Sequence, residues 1–311
     1  MSDDTKPGSP PSCALYRRGG AVWLAGAIGC LVALMQGCAP KPVDLAQRFA
    51  GRPAPRMGEV GAGVERVHFA KTGNPDGPLV LLIHGTPGDL RSLAEVFADP
   101  GLATRATLVT VDRLGWGLSG DGSPVASVEH QAGALRAILD AHPGARPAVV
   151  VGHSYGGPVA AWLATAEPSR VGALVLVSAS IDPGEERTTW YQAVSRWWIV
   201  RWMVPRALRK ADAEVIPLPE QLTKLGARLA SLKAPVFVLH GQADKLVPVA
   251  NADYVRRMLG PSPPVVEIIP GQGHFVPWET PARIVALVHR ALDGLGTPPF
   301  PPVSPTPPHS P

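Results

Sequence analysis

The sequence predicts an α/β domain, a mostly parallel central sheet with flanking helices, and two observations carry that prediction. Short aliphatic runs alternate with longer stretches whose apolar residues recur at helical spacing. Glycine and proline are abundant, 33 and 36 of 311 residues, yet seven prolines precede residue 61 and eight lie between Thr297 and Pro311. The middle of the chain is thus ordinary folding sequence, and its length suits one α/β domain of roughly 200–250 residues plus tails.

In order along the chain, the runs 64–69, 79–83, 107–111, 148–151, 173–177, 236–239 and 265–269 read as strands. Stretches 128–139, 155–166, 220–232, 250–259 and 281–292 carry helical spacing, with Pro281 suited to a first turn. No internal repeat at a period of about 20–50 residues is visible, which disfavours a solenoid or propeller. Residues 183–219 break the rhythm. There Trp190, Val194, Trp197 and Trp198 share one helical face, so a short Trp-rich helical cap insertion is expected. Its apolar face packs the insertion onto the domain, lines an acyl or aromatic pocket, or meets a membrane with help from Arg201, Arg206, Arg209 and Lys210. The sequence leaves these three open.

The ends read differently from the body. The formal charge is only +4 and no long Lys/Arg stripe occurs, so nothing supports nucleic acid as a partner. All three cysteines, Cys13, Cys30 and Cys38, fall in the first 38 residues, so the body can form no disulfide. Basic Arg17 and Arg18, an apolar run over 21–35 and small Gly37 make up the three parts of a secretory signal. The sequence Leu34-Met35-Gln36-Gly37-Cys38 resembles a bacterial lipoprotein signal, which implies a lipidated Cys38 and an exported, membrane-anchored protein facing the periplasm or cell surface. Cys30 is a rival cut site, but cutting there leaves apolar 31–35 on the mature end, and an uncleaved membrane helix is the third reading, for which the apolar run is shorter than the roughly 20 residues a span needs. The expected organisation is therefore a signal over 1–37, a flexible tether over 38–63, the domain over 64–295 with its cap, and a Pro-rich disordered tail over 296–311.

Four motifs carry chemistry. Gly152-His153-Ser154-Tyr155-Gly156 follows an apolar strand and opens a helical pattern, so a sharp turn would lift the serine oxygen above the sheet while glycines let the backbone pass its neighbours. His84-Gly85-Thr86-Pro87-Gly88 follows the strand 79–83, and His84 is read as holding that loop by a hydrogen bond. A serine hydroxyl needs a base to take its proton. His274 stands in the glycine-rich loop 271–275 after the last strand, and Asp244 in the loop 240–248 after the preceding one. The segment 112–120 contains a G-x-G-x-x-G, but Asp121, Gly122, Ser123 and Pro124 follow where a dinucleotide site needs a helix. Its role is read as structural.

These motifs, in this order over 64–295, resemble the α/β-hydrolase superfamily, including its Asp-x-x-Gly-x-Gly-x-Ser turn. The resemblance implies Ser154 as nucleophile, His274 as general base, Asp244 as orienting acid, with Asp182 as the runner-up acid, and the amides of Thr86 and Tyr155 as oxyanion hole. It implies hydrolysis of a hydrophobic carboxylic ester or thioester through an acyl-enzyme. Carbon–carbon bond hydrolysis, peptidase or perhydrolase chemistry, and a catalytically silent binding protein on the same fold stay open. Haloalkane dehalogenase and epoxide hydrolase chemistry are set aside because their elbow nucleophile is aspartate. No cofactor and no metal site are expected.

Overall fold

The computed structural model describes residues 43–142, 146–186, 204–259 and 263–295. The expected signal, Cys30 and Cys38, the tryptophan stripe of the cap and the tail all lie outside these residues.

The chain enters through a short helix α1 (Leu45–Arg48) and a strand β1 (Arg56–Val60), followed by β2 (Val67–Gly73) and β3 (Leu79–Ile83). The tether expected over 38–63 is therefore corrected. Its described part contains a helix and an edge strand, and the compact unit begins at Pro42. The first strand, expected at 64–69, shifts to β2, because Gly63–Glu65 winds into a 3-10 turn. β1 was invisible to an apolar count because an edge strand can be mostly exposed, as RMGEV is.

After β3 come a 3-10 turn at Leu90–Leu93, α2 (Ala94–Phe97), α3 (Pro100–Arg105) and β4 (Thr107–Val111). Then follow α4 (Val128–Asp140), β5 (Ala148–His153), α5 (Gly156–Ala166) and β6 (Val171–Val177). The described part of the expected cap, 183–186 and 204–219, contains α6 (Arg206–Val215) and the first residues of the next helix. Beyond α6 lie α7 (Leu218–Leu229), β7 (Val236–Gly241), α8 (Ala250–Met258), β8 (Val265–Ile269), α9 (Val276–Glu279) and α10 (Pro281–Gly294).

The sheet has eight strands in the order β1-β2-β4-β3-β5-β6-β7-β8. β1 and β2 run antiparallel to their neighbours and the rest are parallel. All five residues of β3 and of β4 are buried, as strands covered on both faces require. Alternation assigns their side chains to two cores. Leu79, Leu81 and Ile83 pack with α4, α5, α7 and α8, whereas Val80 and Leu82 pack with α2, α3 and α10. Fully burying each such side chain stabilises the fold by about 1.5–3 kcal/mol.

One consequence of the order matters for function. From β3 the chain winds to β4 on one side and then to β5 on the other. The carboxyl ends of β3 and β5 therefore flank a topological switch point, where open α/β sheets form their ligand crevice.

Candidate active site

Ser154 follows β5 at the switch point. Its φ is 53°, in the left-handed region that a non-glycine residue enters at a steric cost of about 1–2 kcal/mol. Its amide donates to Val177 O at 3.0 Å, and its carbonyl accepts from the amide of Gly157 at 2.9 Å. Two glycines permit the turn. A Cβ on Gly152 would stand 2.3 Å from Gly156 O, and one on Gly156 would stand 2.4 Å from Ile83 O. The strand-to-helix turn is thus pressed directly against the end of β3.

The loop after β3 reaches the serine from that side. A Cβ on Gly85 would lie 2.8 Å from Ser154 Cβ, so only glycine allows this approach. Among the described residues, the amides of Thr86 and Tyr155 donate to no protein acceptor, and the Thr86 hydroxyl is buried without a partner. The Tyr155 ring is buried and its hydroxyl donates to Ala126 O at 3.2 Å.

Asp244 and His274 come from the loops after β7 and β8. His274 Nδ1 and Asp244 Oδ2 are 2.8 Å apart, and both residues are buried. The other carboxylate oxygen accepts from the amides of Leu246 and Val247 at 2.9 and 2.8 Å. Burial alone would raise the Asp244 carboxyl. The His274 hydrogen bond and charge, the Val247 amide and His240 together outweigh it and hold the group below the usual carboxylate value. An ionised Asp244 therefore keeps a proton on His274 Nδ1 and leaves Nε2 as the basic nitrogen.

His153 links the elbow to this pair. Its ring packs on that of His274 with centroids 5.0 Å apart, and its Nε2 donates to His274 O at 3.3 Å. Burial and the nearby His274 push its pKa down to about 3, so the ring is neutral. His240 is likewise shifted down, chiefly by burial, and donates to Val247 O at 2.9 Å.

A family model of the alpha/beta hydrolase fold matches residues 78–203. Over 270 residues the chain is 30% identical to Lipase LipV of Mycobacterium tuberculosis, covering 73% of this chain and 97% of that one. The chain belongs to the α/β-hydrolase fold family. It is also 29% identical over 262 residues to a dihydrolipoyllysine-residue acetyltransferase component of an acetoin cleaving system from Cupriavidus necator, covering 74% of this chain and 67% of the relative. Among solved structures, an esterase from Rhodococcus sp. ECU1013 shares the fold with a TM-score of 0.59 and 24% identity, over 78% of this chain and all of its own. Family and relatives together support a hydrolase.

Within this α/β-hydrolase, the structure brings Asp244 rather than Asp182 to His274. Asp182 instead accepts from the Gly184 amide at 2.8 Å and sits 3.4 Å from Arg257. His84 holds its loop, as expected, with Nδ1 donating to Gly85 O at 2.7 Å. The Asp112 turn is structural, also as expected. Asp112 accepts from the amides of Leu90 and Leu118 at 2.9 and 3.0 Å, and Ser119 Oγ donates to Asp112 O at 2.6 Å. Sequence reasoning missed Arg113 and Glu214, an ion pair with both side chains fully buried. They are 101 residues apart, and no local pattern marks either as buried. Among the described residues, no cluster of His, Cys, Asp and Glu is arranged to hold a metal, and no helix is long and apolar enough to cross a membrane.

Proposed function

We propose that the protein is a serine hydrolase that cleaves a hydrophobic carboxylic ester or thioester through an acyl-enzyme on Ser154. The observation that carries this reading is the strained placement of Ser154 at the switch point, with the loop that bears the Thr86 amide pressed against it, the Tyr155 amide next to it in the turn, and its neighbour His153 packed on the buried His274–Asp244 pair. Ser154 Oγ would attack the substrate carbonyl while His274 Nε2 takes its proton, and Asp244 would stabilise the imidazolium without accepting the proton itself. The carbonyl oxygen becomes negative in the tetrahedral intermediate. The amides of Thr86 and Tyr155 would donate to that charge, a term worth about 3–4 kcal/mol per donor where one has been removed. His274 would then protonate the leaving alcohol or thiol and activate the water that releases the acid.

A serine at the elbow, rather than an aspartate, supports acyl transfer over epoxide opening. The tryptophans of the cap and the lipase relative support an apolar acyl or aromatic group in the substrate. A fluorophosphonate probe tests the reading: wild type should be labelled on Ser154, and an unlabelled, folded wild type would refute it.

The amino-terminal pattern supports a lipid anchor on Cys38 and work at an exported membrane face. Expressed in a bacterium with a lipoprotein pathway, the wild type should take up labelled palmitate and Cys38→Ala should not. Loss of label only in Cys30→Ala would move the anchor, and no labelling of the wild type would refute it.

A further inference from the structure

The Arg113 side chain contacts both the peptide unit that carries the Thr86 amide, through Gly85 O, and the ring of Tyr155. It is fully buried, and all five of its N–H donors are used. Nε donates to His84 O at 2.9 Å and Nη2 to Gly85 O at 2.9 Å. Nη1 donates to Gln131 Oε1 at 2.6 Å and to Glu214 Oε1 at 2.8 Å, and Nη2 also donates to Glu214 Oε2 at 3.1 Å. Its guanidinium carbon lies 4.7 Å from the centre of the Tyr155 ring. Glu214, on α6, is held in turn by Trp116 Nε1 and Gln131 Nε2, both at 2.8 Å.

The Gly85 carbonyl and the Thr86 amide belong to one planar peptide unit and point in opposite directions. Whatever fixes the carbonyl therefore aims the amide. Arg113 Nη2 and His84 Nδ1 both donate to Gly85 O. The His84 tautomer is set as well, because its Nε2 accepts from the Arg113 amide at 3.0 Å. Burial, and after it the Arg113 charge, hold that ring neutral, with its pKa down at about 3. On the other side, the guanidinium stacked on Tyr155 fixes the residue that carries the second amide.

We infer that Arg113, locked by Glu214 of the cap helix α6 and assisted by His84, is a positioning residue that aims the oxyanion-hole amides of Thr86 and Tyr155, so that docking of α6 completes the hole. This rests on the serine-hydrolase reading of Ser154. Lysine keeps the buried positive charge but lacks the planar fork that spans two carbonyls and a carboxylate. A misplacement of about 1 Å costs up to roughly 100-fold in rate.

The test compares Arg113→Lys with wild type on p-nitrophenyl butyrate and on fluorophosphonate labelling. The expected result is kcat lower by about 10- to 100-fold, KM nearly unchanged and slower labelling of Ser154 in a folded protein. Should Arg113→Lys fail to fold, the double variant Arg113→Met with Glu214→Leu carries the same test, since it leaves no unpaired buried charge. Wild-type kcat in a folded variant, or a loss confined to KM, would overturn the positioning role alone. A wild type that is neither labelled nor active would instead overturn the underlying reading.

Discussion

Two buried His–Asp pairs in this protein have the same contact geometry and different surroundings. His274 Nδ1 meets Asp244 Oδ2 at 2.8 Å, and His68 Nδ1 meets Asp112 Oδ2 at 2.8 Å. Against the first packs His153, the neighbour of Ser154 in left-handed backbone. The second is bonded by the amides of Leu90 and Leu118 and lies beside the Ser119 hydroxyl, which accepts from the His68 amide at 2.8 Å. A histidine held by a carboxylate is thus not a sign of chemistry by itself. What separates the pairs is their place along the sheet edge: the first comes from the loops after β7 and β8, with His274 packed against His153 of the elbow, whereas the second ties β2, the antiparallel strand, to the residue that follows β4.

Ser154→Ala and His274→Ala should each lower kcat on p-nitrophenyl esters by about 10⁶ while the fold survives. His68→Ala should leave kcat near wild type and lower the urea midpoint instead. Comparable turnover losses at His68 and His274 would erase the distinction.

Next come the acids. Asp244→Asn should cost about 10⁴ in turnover, by letting His274 adopt the wrong tautomer. Asp112→Asn should cost stability, about 1–3 kcal/mol, because it weakens a buried acceptor of two amides and a ring nitrogen. An unaffected Asp244→Asn with a dead Asp182→Asn would transfer the acid role.

Acid should act on the region near the serine. His84 and His153 are held neutral down to about pH 3, whereas the unfolded chain protonates them near 6.5. The unfolded state binds the extra protons between those values. Stability therefore falls as pH drops from 6.5, by about 1 kcal/mol per pH unit per ring. The depressed Asp244 adds a further loss below the unfolded carboxylate value. Urea midpoints measured from pH 7 to 4.5 should decline, and His153→Asn should flatten the slope. A pH-independent midpoint would mean that neither ring is buried neutral.

The smallest effect calibrates the others. Ser127 caps α4 by accepting from the His130 amide at 3.1 Å, remote in role from both pairs. Ser127→Ala should cost about 1 kcal/mol with no change in kcat.

Much of this was legible because the central strands are apolar on both faces. β3 and β4 fall at the residues their aliphatic runs predict, as does the edge strand β8, and α4 starts at the expected Val128. Ser154, His274 and Asp244 could be singled out as candidates because each follows such a run, and the structure brings the last two together. β1 was not, since its side chains are mostly exposed, nor were α2 and α3, which are too short for a helical period to show. The Arg113–Glu214 pair was illegible for another reason. Charged residues ordinarily stay in water, so nothing local signals a pair buried across 101 residues.

The strand order also bears on how the molecule comes to be active during folding. The elbow and the histidine loop meet across 121 residues, and β7 and β8 join the sheet after every strand that carries the serine and the amides. Such non-local contacts form slowly, because loop-closure entropy is lost before they return any stabilisation. A nascent chain ending before β7 would hold Ser154 but neither Asp244 nor His274, the pair proposed to take its proton. Reactivity toward a fluorophosphonate would then rise only with the last strands, making the probe a clock for the completed sheet.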